Sequence, residues 1–153
     1  LSRALEEGFP GTRLETLTAD FTRDLRLTDL DGAVMANALH FVRDGDKPAV
    51  LDLVRAMLRP GGRLVLVEYG ADKGNPWVPH PFSYPRWEQM AGAAGLVGTR
   101  MLGSVPSRFL GSIYAAVSER PHSYRTGFTA SPQPPLLSST KTPRQPGTWR
   151  SSR

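Results

Sequence analysis

The hydrophobic pattern is clearest between Asp46 and Tyr69, DKPAVLDLVRAMLRPGGRLVLVEY, where two periods meet. Val50, Leu51, Val54, Met57 and Leu58 recur at helical spacing and predict an amphipathic helix. Asp46 stands where a cap belongs, and Pro48 is tolerated in the first turn. Arg59 supplies a cation at the helix C-terminus, Pro60 stops the helix, and Gly61-Gly62 predicts a sharp reversal. The run from Leu64 to Val67 is apolar without alternation, the mark of a parallel strand covered on both faces.

Around this unit the pattern is weaker but ordered. Leu1 to Glu7 reads as the end of a helix closed by Gly8, followed by a turn at Phe9-Pro10-Gly11. Residues 12 to 18, rich in Thr, predict a strand ending at Ala19-Asp20-Phe21, and Ala33 to Ala36 predicts a second, ending at Asn37-Ala38-Leu39-His40. Gly70, Gly74, Pro76, Pro79, Pro81 and Pro85 exclude regular structure between Gly70 and Pro85. A helix opening at Ser83 or Pro85 runs through Ala94 to Gly95. Leu96 to Ser104 and Arg108 to Val117 predict two strands about a Val105-Pro106-Ser107 turn, which makes them antiparallel. The sum is an α/β sheet, mostly parallel with a final antiparallel hairpin, flanked by helices.

Charge divides the chain at Ser118. Residues 1–118 carry 13 Lys+Arg against 13 Asp+Glu, whereas residues 119–153 carry six against one. The basic excess therefore says nothing about the folded part, and a nucleic-acid partner is not implied. With six Pro and eleven Ser or Thr, residues 119–153 are expected to be a disordered, solvated tail. There is no cysteine, and His40, His80 and His122 are too scattered to suggest a metal site. No apolar run long enough to span a membrane is present, so a cytoplasmic protein is the expectation. The opening LSRALEEG reads as the middle of a helix and suggests a piece of a longer product.

The segments LTADF (17–21), DGAVMANALHFV (31–42) and LRPGGRLVLVEY (58–69), followed by a terminal hairpin, resemble the second half of a class I S-adenosylmethionine-dependent methyltransferase. The resemblance covers residues 1 to about 118 and implies a partial Rossmann-like sheet, with strands 3 to 7 of the order 3-2-1-4-5-7-6. It implies S-adenosylmethionine as cofactor and a small-molecule methyl acceptor. Asp20 would accept from the adenine amino group, with Ala19 and the Phe21 N–H beside the ring. Asn37, Ala38 and Leu39 would approach the methionine part. His40 would face the acceptor as a proton acceptor, and Glu68 and Tyr69 would line the substrate side under a cover carrying Trp77, His80, Phe82 and Tyr84. Each has a plainer alternative: Asp20 as a cap, Asn37 as a turn former, His40 and the loop aromatics as packing.

The family's glycine-rich cofactor loop and ribose-binding acid do not occur in this sequence. The resemblance thus implies an enzyme whose 153-residue piece is by itself weak or inactive. Two other readings compete. Tyr69 and Lys73 match a short-chain dehydrogenase Tyr-x-x-x-Lys pair, which functions only on one helical face. The other is a non-catalytic α/β remnant or interaction module.

Overall fold

The helix expected after Asp46 forms as Lys47–Met57 (α1), with Pro48 in its first turn and Val50, Leu51, Val54 and Met57 buried. The structure, a computed structural model, describes residues 7–122. Of the tail expected over residues 119–153 the part from 123 on lies outside the described residues, as does all but Glu7 of the helix expected over Leu1 to Glu7. Asp46 occupies the cap position without a side-chain cap bond; instead the Arg43 carbonyl accepts from the N–H of Asp46 at 2.9 Å and of Lys47 at 3.2 Å.

The Pro-Gly-Gly segment is not the reversal that its composition predicts. Strand β2, Leu58–Tyr69, begins directly after Met57 and carries Pro60 to Gly62 as a bulge against β1, Leu30–Ala36. Leu30 pairs with Leu58 and Gly32 with Arg63, so a short step on β1 faces a longer one on β2. Glycine is required there: Gly61 has φ +77°, and a Cβ at Gly62 would lie 2.8 Å from the Leu30 and Arg59 carbonyl oxygens. Arg59 turns to Asp31, with Nε 2.6 Å from Oδ1, and leaves the helix end.

Arg120 takes that place. Its Nη1 donates to the carbonyls of Arg55 at 3.3 Å, Ala56 at 3.2 Å and Leu58, the last carbonyls around the helix-to-strand junction. Arg120→Ala is therefore expected to cost about 1.5 to 3 kcal/mol, the range for hydrogen bonds to a charged group. An unchanged urea midpoint would mean that water serves those carbonyls equally well.

The closing hairpin forms as Val97–Pro106 (β3) and Ser112–Glu119 (β4), its connection falling at 107–111, slightly later than expected. The sheet order is β1-β2-β4-β3. β1 and β2 are parallel, whereas β2–β4 and β3–β4 are antiparallel, so the sheet of the described residues is not mostly parallel. The shortfall lies in residues 12–18, which are exposed throughout and form no strand. Their Thr content suits an extended chain, but a strand also needs a partner edge and an apolar face to cover.

Helix Tyr84–Ala93 (α2) starts after Ser83 with Pro85 in its first turn and closes through Ala94 to Gly95 at φ +74°, as expected. Both helices share one core with the sheet, built from Leu39, Leu51, Val54, Leu66, Trp87 and Ala116 among others. Leu64, Leu66 and Glu68 are fully buried on that face, while Val65 and Val67 are half-buried on the other. The expectation of cover on both faces of β2 thus fails: Val34, paired beside Val65, is 71% exposed. The apolar run reports strand chemistry but not what lies on each side.

Candidate active site at the ends of the parallel strands

Because β1 and β2 are parallel, they finish together, and the polar residues after each are brought to one edge. Asn37 leaves β1 with φ +49°, a left-handed conformation that Asn tolerates better than most residues, and its N–H donates to the Val67 carbonyl at 2.8 Å. The chain then winds through a short 3-10 turn, Leu39–Phe41.

Glu68 organises this turn. It sits in the penultimate position of β2 with no exposure. Its Oε1 accepts from the N–H groups of Ala38 (3.0 Å), Leu39 (2.7 Å) and His40 (3.3 Å), and its Oε2 lies 2.7 Å from His40 Nδ1. These donors compensate a carboxylate that is otherwise costly to bury. Where the carboxylate accepts, Nδ1 carries the hydrogen, and in a neutral ring the lone pair then falls on Nε2. Nε2 has no hydrogen bond within the described residues. Tyr69 packs edge-on to the same imidazole, with centroids 5.3 Å apart. Tyr114, opposite Glu68 in the ladder, is buried, and burial first, then the Glu68 charge, pushes its hydroxyl far above the ordinary tyrosine range.

The segment after Tyr69 lacks regular structure but is held in place. The His80 N–H donates to the His40 carbonyl at 3.0 Å. Lys47, fully buried, donates through Nζ to the His80 carbonyl at 2.8 Å and to Asp44, and stands 5.1 Å from the centre of the Phe82 ring. Its hydrogen bond holds the Asp44 carboxyl below the usual range. Asp72 accepts from the Ser83 N–H at 2.9 Å, which lowers its pKa likewise. Val78 and Phe82 are buried, whereas Trp77 is open to solvent. Tyr84 opens α2 edge-on to Tyr114 and donates to Glu88 at 2.9 Å.

The expected residues are therefore brought together unevenly. Asn37, Ala38, Leu39, His40, Glu68 and Tyr69 form one cluster. Glu68 is inside it, not on a substrate-facing wall. Ala19 and Asp20 are exposed, and the Asp20 carboxylate accepts from the Thr22 hydroxyl (2.7 Å), the Thr22 N–H (2.9 Å) and Arg23 Nε (3.3 Å), the capping alternative. The Thr22 hydroxyl bond is the main reason that its pKa is lowered. Phe21 is half-buried and, with Ala36 and Ala38, borders an apolar cleft of about 370 Å³ along the free edge of β1. Tyr69 ends a strand and Lys73 follows in the loop, so the dehydrogenase pair does not share a helical face. Among the described residues no cluster of three His, Cys, Asp or Glu could hold a metal ion, and no helix is long and apolar enough to cross a membrane. Sequence reasoning missed the roles of Glu68 and Lys47; a lone acid continuing the buried 64, 66, 68 alternation was the available clue.

No family model and no curated protein matches the sequence. Solved structures do. The 1,6-didemethyltoxoflavin-N1-methyltransferase of Burkholderia thailandensis aligns with TM-score 0.60 at 17% identity, over 78% of this chain and 56% of that one. The fold is that of the class I S-adenosylmethionine-dependent methyltransferases. An O-methyltransferase family protein of the same organism gives TM-score 0.57 at 16% identity, over 80% of this chain and 40% of that one. The CurJ carbon methyltransferase gives 0.59 at 21% identity, over 78% and 38%. The chain thus spans little more than half the length of the first of these methyltransferases and less of the others. In the methyltransferase frame, the order β1-β2-β4-β3 is the stretch 4-5-7-6.

Proposed function

We propose that this chain supplies the acceptor-side half of an S-adenosylmethionine-dependent methyltransferase acting on a small molecule. The observation that carries this reading is the Glu68–His40 pair, built into the turn where the two parallel strands end. Bound S-adenosylmethionine would supply an electrophilic methyl group. The residues at hand fit it in part. Phe21 and the apolar cleft beside it suit the adenine face, with Ala19 and Asp20 alongside. The N–H groups of Ala38 and Leu39 already serve Glu68, so the polar group left for the methionine part is the exposed side chain of Asn37.

Glu68 acts as a positioning residue: it fixes the His40 tautomer, so that Nε2 is the atom able to take a proton from an acceptor O–H or N–H. Tyr69 bounds the acceptor side.

The test is a titration of isotopically labelled chain with S-adenosylhomocysteine, followed by backbone amide shifts. With no carboxylate in this chain read as holding the ribose, the expected affinity is weak, about millimolar or about −4 kcal/mol. Shifts are expected at Phe21 and Asn37 to His40. Their absence up to the ligand's solubility, or shifts confined to the hairpin, would overturn the reading. A non-catalytic interaction module is the second reading, favoured by the edge of β1 that no described strand pairs, beside exposed Val34.

A further inference from the structure

Two loops meet beside the proposed acceptor side. Trp77, in the segment after β2, is 75% exposed, and Phe109, in the β3–β4 connection, is 67% exposed. With Tyr69 and Val78 they line a cavity of about 330 Å³, at the small end of the range for ligand pockets. Four side chains line it and none is charged. Large apolar side chains exposed singly need no explanation, but two aromatics from loops far apart in sequence, converging on one concavity with a third, form a shaped surface.

The walls are held in place before any ligand arrives. The Asn75 Oδ1 accepts from the N–H groups of Trp77 at 2.9 Å and Val78 at 2.8 Å, fixing the turn that presents the indole. The Asn75 Nδ2 donates to the Phe109 carbonyl at 3.2 Å and so ties the two loops together. On the other side, Ser107 Oγ accepts from the Phe109 N–H at 3.1 Å. Gly74 permits the approach: a Cβ there would lie 2.3 Å from the Pro79 carbonyl oxygen. Among the described residues neither the Trp77 nor the Phe109 ring packs on another aromatic ring. Tyr69 both lines the cavity and packs T-shaped against His40. The cavity is therefore one ring away from the proton acceptor proposed above.

We infer that the cleft between Trp77 and Phe109 selects an uncharged, planar aromatic methyl acceptor. Offset or edge-on aromatic packing gives such a ring an advantage over a saturated ring of similar size, and the lack of a charged lining group penalises an anion or cation that must leave water. This deepens the proposed function and rests on it for the word acceptor; the binding itself does not.

The test uses the full chain without cofactor and three probes: 2-naphthol as a neutral planar bicycle, 2-decalol as its saturated counterpart, and 2-naphthoate as the charged one. Of the three tryptophans only Trp77 and Trp87 lie in the described residues, and the Trp77 indole N–H resonance is assigned by its disappearance in Trp77→Ala. Naphthol should shift that resonance saturably, with decalol and naphthoate at least about tenfold weaker. Phe109→Ala should weaken naphthol binding by about tenfold as read on the Trp77 indole, and Trp77→Ala by about tenfold as read on the backbone amides of Val78 and Phe109, while spectral dispersion shows the fold retained, since both side chains are exposed. Equal affinity for decalol, or naphthol shifts centred on Val34 and Leu25 at the other apolar surface, would overturn the inference. Naphthol binding without any S-adenosylhomocysteine binding would leave the aromatic site standing and remove the methyltransferase reading; the reverse result would do the opposite.

Discussion

Replacing Glu68 with alanine is expected to lower the unfolding free energy by about 3 to 5 kcal/mol, the cost of breaking a buried charged cluster from one side. The carboxylate, itself without measurable exposure, accepts three backbone N–H groups and the His40 ring N–H. Removing it orphans four donors at about 1 to 3 kcal/mol each, and partial opening of the turn to water limits the total. Glu68→Gln separates the two oxygens. Its amide oxygen can still serve the backbone, but the NH₂ group then faces Nδ1, which must give up its hydrogen to accept. The loss should be smaller than for alanine, and the ring tautomer should change, as imidazole nitrogen shifts would report. If Glu68→Ala unfolds within about 1 kcal/mol of the parent protein, the cluster is not what holds Asn37 to His40 in place. The loss bears on function because this turn carries Asn37 and His40, proposed above for the cofactor's methionine part and for proton acceptance.

Trp87→Ala should cost a similar amount, about 3 to 5 kcal/mol, for a different reason. Among the described residues Trp87 is the largest fully buried side chain; it sits in α2 on the shared core and lies 6.3 Å, centre to centre, from the Phe82 ring. Its removal leaves a cavity beneath both the helix and the segment that follows Tyr69. Its Nε1 is buried with no hydrogen-bond partner among the described residues, so Trp87→Phe removes that donor along with some volume. That variant should lose less than about 1.5 kcal/mol. Thermal or urea unfolding of the pair decides it: if Phe were as damaging as Ala, Nε1 must be satisfied, for instance by a buried water.

Local rules account for what was legible in the chain. The helices Lys47–Met57 and Tyr84–Ala93 follow from apolar spacing and from Pro and Gly at their ends, and the closing hairpin follows from two apolar runs too close together for anything but an antiparallel pair. Asn37, His40 and Tyr69 were placeable at strand ends for the same reason, since each follows or ends a short apolar run.

Tertiary structure alone decided the rest, because the deciding partner is far away in sequence. Residues 12–18 have strand-forming composition but pair with no described strand, and a strand is a property of two segments. Pro60 to Gly62 reads as a turn until Leu30, Arg63 and Arg120 fix it as a bulge. The apolar run of β2 could not say that helices cover only one face. Arg120, past the Ser118 boundary drawn from charge, is bound to the carbonyls of residues more than sixty positions earlier. Glu68 meets its donors across about thirty residues, and Trp77 meets Phe109 across thirty-two, so neither the buried acceptor nor the aromatic cleft has a local signature. Sequence by itself determined the helices Lys47–Met57 and Tyr84–Ala93 and placed Asn37 and Tyr69 at strand ends. Only the packed sheet decided which of those groups face inward as scaffold and which remain free for a ligand, since that depends on long-range pairing and burial rather than on neighbours along the chain.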